Sequence, residues 1–228
     1  MRSYFVCATP RTGSSLLLGL LGSTGVAGRP QAYFRTPDEP LWRARWGLGR
    51  SGYAEFVRAA IAAGSTGNGV FGAKLMWGTL DELLDRIGGP LEQHFGPARY
   101  VYLRREDEVA QAVSWVRAEQ TQRWFAGGDG EISGSTGGGR EPVYDAAAIT
   151  GRLRVIRADN AGWLRWFATA GVRPLALTYE ELAADPAGAT ERVLAHLGLV
   201  AEHPIVARHQ RQADELNQEW ITRYRRTS

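Results

Sequence analysis

Residues 4–15 constrain this chain more than any other stretch. The run Y-F-V-C-A at 4–8 has the length and apolar make-up of a buried strand. A polar turn follows, T-P-R-T-G-S-S at 9–15, and L-L-L-G-L-L-G-S-T then opens a helix that ends near Gly25. Strand, tight turn and helix in that order can hold an anion. The first helical N–H groups have no partner within the helix, and the helix dipole favours negative charge there. Gly13 lets the backbone approach a ligand closely, Thr12, Ser14 and Ser15 offer hydroxyls, and Arg11 offers charge. The stretch is not the G-x-x-x-x-G-K-[ST] phosphate loop: Ala8 stands at the first glycine and Ser14 at the lysine. An ordinary strand-to-helix turn, capped by Thr12 or Ser14, would read the same way in this window alone.

The rest of the chain sets that turn in a sheet. Residues 69–75, 99–103 and 173–178 read as three further strands. Between them, Leu80, Leu83, Leu84 and Ile87 repeat at helical spacing, as do Val109, Ala112, Val113 and Val116. A longer helix carries Ile149, Leu153, Ile156, Trp163, Trp166 and Phe167. Asp185 suits an N-cap, Pro186 the first helical position and Gly198 the stop of another helix. Strands alternating with helices predict an α/β fold whose parallel sheet is covered on both faces. No internal repeat or second core is evident, so residues 1–228 are expected to form a single domain. The Gly-rich stretch 127–139 reads as a mobile loop, either a surface insertion or a lid.

Strand ends on one edge of a parallel sheet share a ligand crevice. Arg104 and Arg105 end the third strand, and Gln111 and Ser114 follow on its helix. Lys74 is expected to end the second strand on the same edge. The chain has 27 basic residues, of which 26 are arginine, so Lys74 is its sole lysine. Solvated surface charge is the ordinary fate of most of those arginines. Gathered on one edge, Arg11, Lys74, Arg104 and Arg105 suit a ligand with two separate anionic groups. A net charge of +3 is too mild to argue for nucleic acid. The single cysteine, Cys7, excludes an internal disulfide, and the four histidines show no paired metal spacing, so no metal is expected. The longest apolar run, Leu16 to Leu21, contains a glycine and is too short to span a bilayer, and it follows a polar turn rather than a basic start, so it does not read as a signal peptide. A cytoplasmic protein is expected.

These segments carry a family likeness. T-P-R-T-G-S-S resembles the 5′-phosphosulfate loop of sulfotransferases, and Y-L-R-R-E-D-E-V-A-Q-A-V-S at 102–114 resembles their 3′-phosphate segment. More closely, the chain resembles the bacterial trehalose 2-sulfotransferase family. The supporting segments are T-G-V-A-G-R-P-Q-A-Y-F (24–34), G-V-F-G-A-K-L-M-W (69–77), Q-A-V-S-W-V-R-A-E-Q-T (111–121), G-W-L-R-W-F (162–167) and R-Q-A-D-E-L-N-Q-E-W-I-T-R-Y-R-R (211–226), in register along almost the whole chain. The resemblance implies a P-loop-like three-layer sandwich, 3′-phosphoadenosine 5′-phosphosulfate as donor, a sugar or glycolipid hydroxyl as acceptor, and a homodimer. It implies that Arg11, Thr12, Gly13, Ser14 and Ser15 hold the phosphosulfate. Arg105 and Ser114 would hold the 3′-phosphate, with Arg104 the substitute if the register slips by one. Arg211 is a further ligand candidate, or else a surface arginine on a tail helix. The acceptor would draw on Pro10, on Arg29, Pro30, Gln31, Tyr33, Phe34 and Arg35, and on Trp42 and Trp46, although the tryptophans serve equally as core or dimer packing. Lys74 and Arg11 are expected to flank the transferring sulfonate and stabilise its charge without a metal.

One departure stands out. The family pattern has a glutamate, regarded as the general base, where this chain has Ala32. Alanine takes no proton, so the chain is impaired, uses a relocated base, or acts on a different acceptor. Asp38, Glu39 and Glu119 are candidates for such a base, each also readable as a solvated carboxylate. Two rival functions remain open on sequence: an inactive nucleotide- or sugar-binding homologue, and an ATP-dependent small-molecule phosphotransferase.

Overall fold

The computed structural model describes residues 2–124, 126–127, 138–206, 209–210 and 215–227. In chain order the elements are β1 (Arg2–Ala8), α1 (Ser14–Ser23), a 3-10 turn (Thr36–Asp38), α2 (Glu39–Arg45), α3 (Tyr53–Gly64), β2 (Val70–Met76), α4 (Trp77–Ile87), α5 (Leu91–Phe95) and β3 (Ala98–Arg104). There follow α6 (Glu108–Thr121), β4 (Ala126–Gly127), α7 (Ala146–Thr169), β5 (Leu175–Thr178), α8 (Tyr179–Ala184), α9 (Pro186–Leu197), β6 (His209–Gln210) and α10 (Glu215–Thr227). Four strands form a parallel sheet in the order β2-β1-β3-β5. Ala8, the last residue of β1, pairs with Met76 on one side and Leu103 on the other. The apolar run that opens the chain is thus the centre of the sheet, which explains why Tyr4 through Ala8 are all fully buried.

The period-two alternation of the strands sorts their side chains onto two faces. Phe5, Cys7, Phe71, Leu75, Tyr100 and Tyr102 meet an aromatic layer that includes Phe95 and the α7 rings of Trp163 and Phe167. Tyr4, Val6, Val101, Leu103 and Leu177 meet leucines of α1 and the Val193–Leu194 stripe of α9. Helices on both faces of a central parallel sheet give the expected three-layer α/β architecture. A third apolar cluster lies off the sheet, where Trp220, Ile221 and Tyr224 of α10 cover Trp115 and Val116 of α6 and Ile149, Leu153 and Ile156 of α7. Sequence reasoning expects one core, and this helical cluster adds to it.

Local signals hold where they are strong. Asp185 caps α9 by accepting a bond from the Gly188 amide at 2.9 Å, Pro186 opens the helix, and Gly198 closes it with φ of 69°. Of the Gly-rich stretch, Gly127 belongs to β4, which pairs antiparallel with β6, while 128–137 lie outside the described residues.

Candidate active site

The loop between β1 and α1 is pinned from below. Thr9 and Thr12 are fully buried, and the Thr12 hydroxyl donates to the Thr9 carbonyl at 3.0 Å. The Gln111 amide, on α6, donates to Thr9 Oγ1 at 2.8 Å and to the Pro10 carbonyl at 2.7 Å. Arg11 and Gly13 both have left-handed backbones, with φ of 69° and 78°. For Arg11 that conformation costs on the order of 1–3 kcal/mol, sustained only because its surroundings fix it. Gly13 is the N-cap of α1, and no side chain caps the helix. Neither Thr12 nor Ser14 performs the capping role of an ordinary turn, so the first amides of α1 are left to a ligand or solvent. The Thr12 hydroxyl, expected to face an anion, is instead bonded within the loop.

Arginines gather beside this loop. Arg11 Nε donates to Ser114 Oγ at 2.9 Å, and its guanidinium also reaches the Trp124 carbonyl. Arg105 lies over the Tyr179 ring at 4.4 Å from the centroid, with its Nε 3.9 Å from Glu180 Oε1. Burial, reinforced by the charges of Arg105 and Arg117, pushes the Arg11 pKa down to about 10. That depression records positive charges crowded in a desolvated place, which an anion would relieve. Arg104 continues the pleat alternation of Tyr100 and Tyr102 and pairs with Glu106 at 3.3 Å. Of the two consecutive arginines, Arg105 is therefore the one brought to Arg11. Tyr179 joins the group without having stood out in the sequence. A Cβ on Gly13 would lie 2.7 Å from Tyr179 Cδ2, so the glycine is also required by this ring. The available signal was position: Tyr179 immediately follows β5, at the shared edge.

Lys74 lies two residues inside β2 rather than at its end. Its ammonium is 3.4 Å from Ser15 Oγ, across the gap between β2 and the start of α1. Its backbone N–H donates to the Gln31 carbonyl at 2.9 Å, and Gln31 bridges Ala73, so the segment around Ala32 runs along the outer edge of β2. This places residue 32 next to the strand that carries Lys74. Other residues expected at an acceptor site separate from it. The rings of Tyr33, Phe34 and Trp42 are buried, and so is Pro30. Tyr33 stacks on Phe71 at 6.1 Å and packs on Trp42 at 5.0 Å, while Trp42 stacks on half-buried Trp46 at 5.0 Å. Their large apolar area is used in the core rather than against a ligand. Exposed Arg29 donates to the Ser65 carbonyl at 3.1 Å, and exposed Arg35 pairs with Asp38 at 2.7 Å. Pro10, Gln31 and Ala32 keep partial access to solvent at the edge. Arg211 lies outside the described residues.

The three carboxylates singled out as possible bases are each held by arginine. Asp38 is bonded to Arg35, and Glu119 lies 2.8 Å from Arg152. Glu39 lies 2.6 Å from Arg43 and 2.5 Å from Arg86. Burial would raise the Glu39 pKa, but the hydrogen bonds from Arg86 and Arg43 prevail and hold it below the ordinary value. Among the described residues, no group of three or more His, Cys, Asp or Glu is arranged to hold a metal ion, and no helix is long and apolar enough to cross a membrane.

The chain is 31% identical to the trehalose 2-sulfotransferase of Mycobacterium tuberculosis, over 99% of its own length and 95% of the relative's. It is 32% identical to the trehalose 2-sulfotransferase of Mycolicibacterium smegmatis, over 98% of its length and 94% of the relative's. The sulfotransferase domain from the curacin biosynthetic pathway superposes with a TM-score of 0.52 at 14% identity, covering 87% of this chain and 74% of that one. A sulfotransferase from Alicyclobacillus acidocaldarius gives 0.50 at 14% identity, covering 98% and 91%. These two similarities bear on fold alone. The family model for Stf0 sulphotransferase matches residues 3–227, and the chain belongs to that family.

Proposed function

We propose that this protein transfers a sulfuryl group from 3′-phosphoadenosine 5′-phosphosulfate to a hydroxyl of a trehalose-like sugar. The observation that carries the reading is one sheet edge with two cationic stations. At one, the uncapped start of α1, Lys74 reaches Ser15 at the end of the loop at 9–15, which also carries Arg11. At the other, Arg105 and Ser114 stand beside Arg11. A doubly anionic nucleotide with a 5′-phosphosulfate and a separate 3′-phosphate matches both. The amides of α1 and the Arg11 guanidinium hold the 5′ group, Arg105 and Ser114 hold the 3′-phosphate, and Lys74 meets the charge that grows on the departing phosphate oxygen. The names of the mycobacterial relatives support a disaccharide acceptor.

Ala32 favours one second reading, a homologue that binds donor and sugar without transfer. An ATP-dependent phosphotransferase is less well supported, because the loop lacks the glycine and lysine of the nucleoside-triphosphate motif. Calorimetric titration with adenosine 3′,5′-bisphosphate and with ADP tests the donor assignment. The bisphosphate should bind at least tenfold more tightly, and tighter binding of ADP would refute it.

A further inference from the structure

A fourth carboxylate, Asp159 on α7, differs from the three considered above. It is half-buried and, among the described residues, makes neither a hydrogen bond nor an ion pair. Burial alone raises its pKa, with no contribution from a neighbouring charge.

Its place in the fold follows from its neighbours on the helix. Trp166 packs on Tyr100, well inside β3, at 5.4 Å. One turn back, the Trp163 indole donates to the carbonyl of Ala8, the last residue of β1, at 3.1 Å. α7 therefore runs against the strands, and its earlier residues project past their C-terminal ends. Asp159 is one further turn back, on the face of Trp163 and Gly162. Gly162 lies directly under the Trp77 ring, the first residue beyond β2, and Trp77 meets Trp163 edge to face at 5.3 Å. Asn160, next to it, accepts a bond from the Tyr102 hydroxyl at 3.0 Å. Asp159 thus stands just beyond the ends of β1 and β2, the two strands that carry the loop at 9–15 and Lys74.

We propose that Asp159 is the general base of this chain, receiving the proton that residue 32, an alanine, cannot take. The inference rests on the sulfotransferase reading above. In the step, the acceptor hydroxyl gives its proton to an Asp159 oxygen as its lone pair forms the new O–S bond. The S–O bond to the 5′-phosphate breaks, its electron pair stays on the phosphate oxygen, and the proton on Asp159 later returns to solvent. A carboxylate that no arginine neutralises and that is partly withdrawn from water is a stronger base than Asp38, Glu39 or Glu119.

The test compares wild type, Asp159→Asn, Ala32→Glu and the double variant. Each is assayed for transfer from the phosphosulfate donor to trehalose and for affinity for adenosine 3′,5′-bisphosphate. Asp159→Asn should lower kcat by about 10²–10⁴-fold while bisphosphate affinity stays within twofold. Adding Ala32→Glu to Asp159→Asn should recover transfer at least tenfold, because a second base then serves the same hydroxyl; a purely structural aspartate would not be rescued in this way. The proposal is overturned if Asp159→Asn retains activity within threefold of wild type. It is also overturned if KM rises while kcat is kept, or if transfer appears only in Ala32→Glu. Failure of the wild-type chain to bind the bisphosphate would instead refute the donor assignment.

Discussion

At the scale of single residues, the proposed chemistry rests on a few side chains. Lys74 is the only lysine in the chain, and its ammonium comes to Ser15 at the head of α1. Lys74→Ala should lower kcat/KM by about 10²–10³-fold with an unchanged melting temperature, measured by transfer kinetics beside thermal unfolding. Asp159 makes a converse prediction. Its folded pKa is raised by burial, so the folded state binds the proton more readily than the unfolded chain. Stability attached to this group is therefore lost as pH rises through the carboxylate range, and the ionised form is a burden at neutral pH. Asp159→Asn should raise the melting temperature at pH 7, and the gain should vanish on acidification below the ordinary aspartate pKa. A lower melting temperature at pH 7 would mean that the ionised carboxylate stabilises the fold. The sequence made Arg11 and Gly13 legible because both sit in the turn, whereas Lys74, expected at the end of its strand, lies two residues inside β2. It set Arg105 ahead of Arg104 only through the family resemblance; in the fold the pleat, and the Tyr179 ring beyond β5, separate them. Asp159 was not legible at all: within α7 it reads as one polar residue among many until the strand ends are placed beside it.

At the scale of elements, the strand-turn-helix unit and the α7 helix do the positioning. The unit was readable because its signals are local, an apolar run, a glycine turn and an apolar helix start within some 20 residues. The same holds for α9, whose cap, proline and terminal glycine all act as expected. α10 was less legible, since Trp220, Ile221 and Tyr224 lie in a strongly charged helix and make sense only once α6 and α7 are there to be covered. The acceptor segment shows the same limit. In sequence Tyr33 reads as an acceptor-site aromatic and Trp42 equally as acceptor-site or core packing, and the fold buries both in the aromatic core. Gly162 makes an element-scale prediction. In an exposed helix interior, Gly→Ala stabilises by about 1 kcal/mol. Here a Cβ would collide with the Trp77 ring. Gly162→Ala should therefore destabilise, by about 1–3 kcal/mol, read from chemical denaturation, and should impair transfer by moving α7 away from β2. A stabilised variant would show that the ring yields easily.

For the whole molecule, the strand order β2-β1-β3-β5 gathers distant segments at one edge. Arg11 meets Ser114, Lys74 meets Ser15, and Trp163 meets Ala8. The alternation of strands and helices made the parallel, two-sided sheet legible, but not which strand would lie at its centre. Because the proposed nucleotide bridges β1, β2, β3 and the helices after them, its binding should stabilise the fold as a unit. At 100 times its Kd, adenosine 3′,5′-bisphosphate should add about 2.7 kcal/mol, or roughly 5–10 °C for a chain of this size, in a single unfolding transition. ADP at the same concentration should add less, and a split transition would show that the sheet and the α6–α7–α10 cluster unfold separately. The most direct measurement is transfer itself, with the wild-type chain, donor labelled in the sulfuryl group and trehalose as acceptor. The account predicts label on the sugar, lost in Lys74→Ala. No label on trehalose, from a chain shown to bind adenosine 3′,5′-bisphosphate, would contradict it.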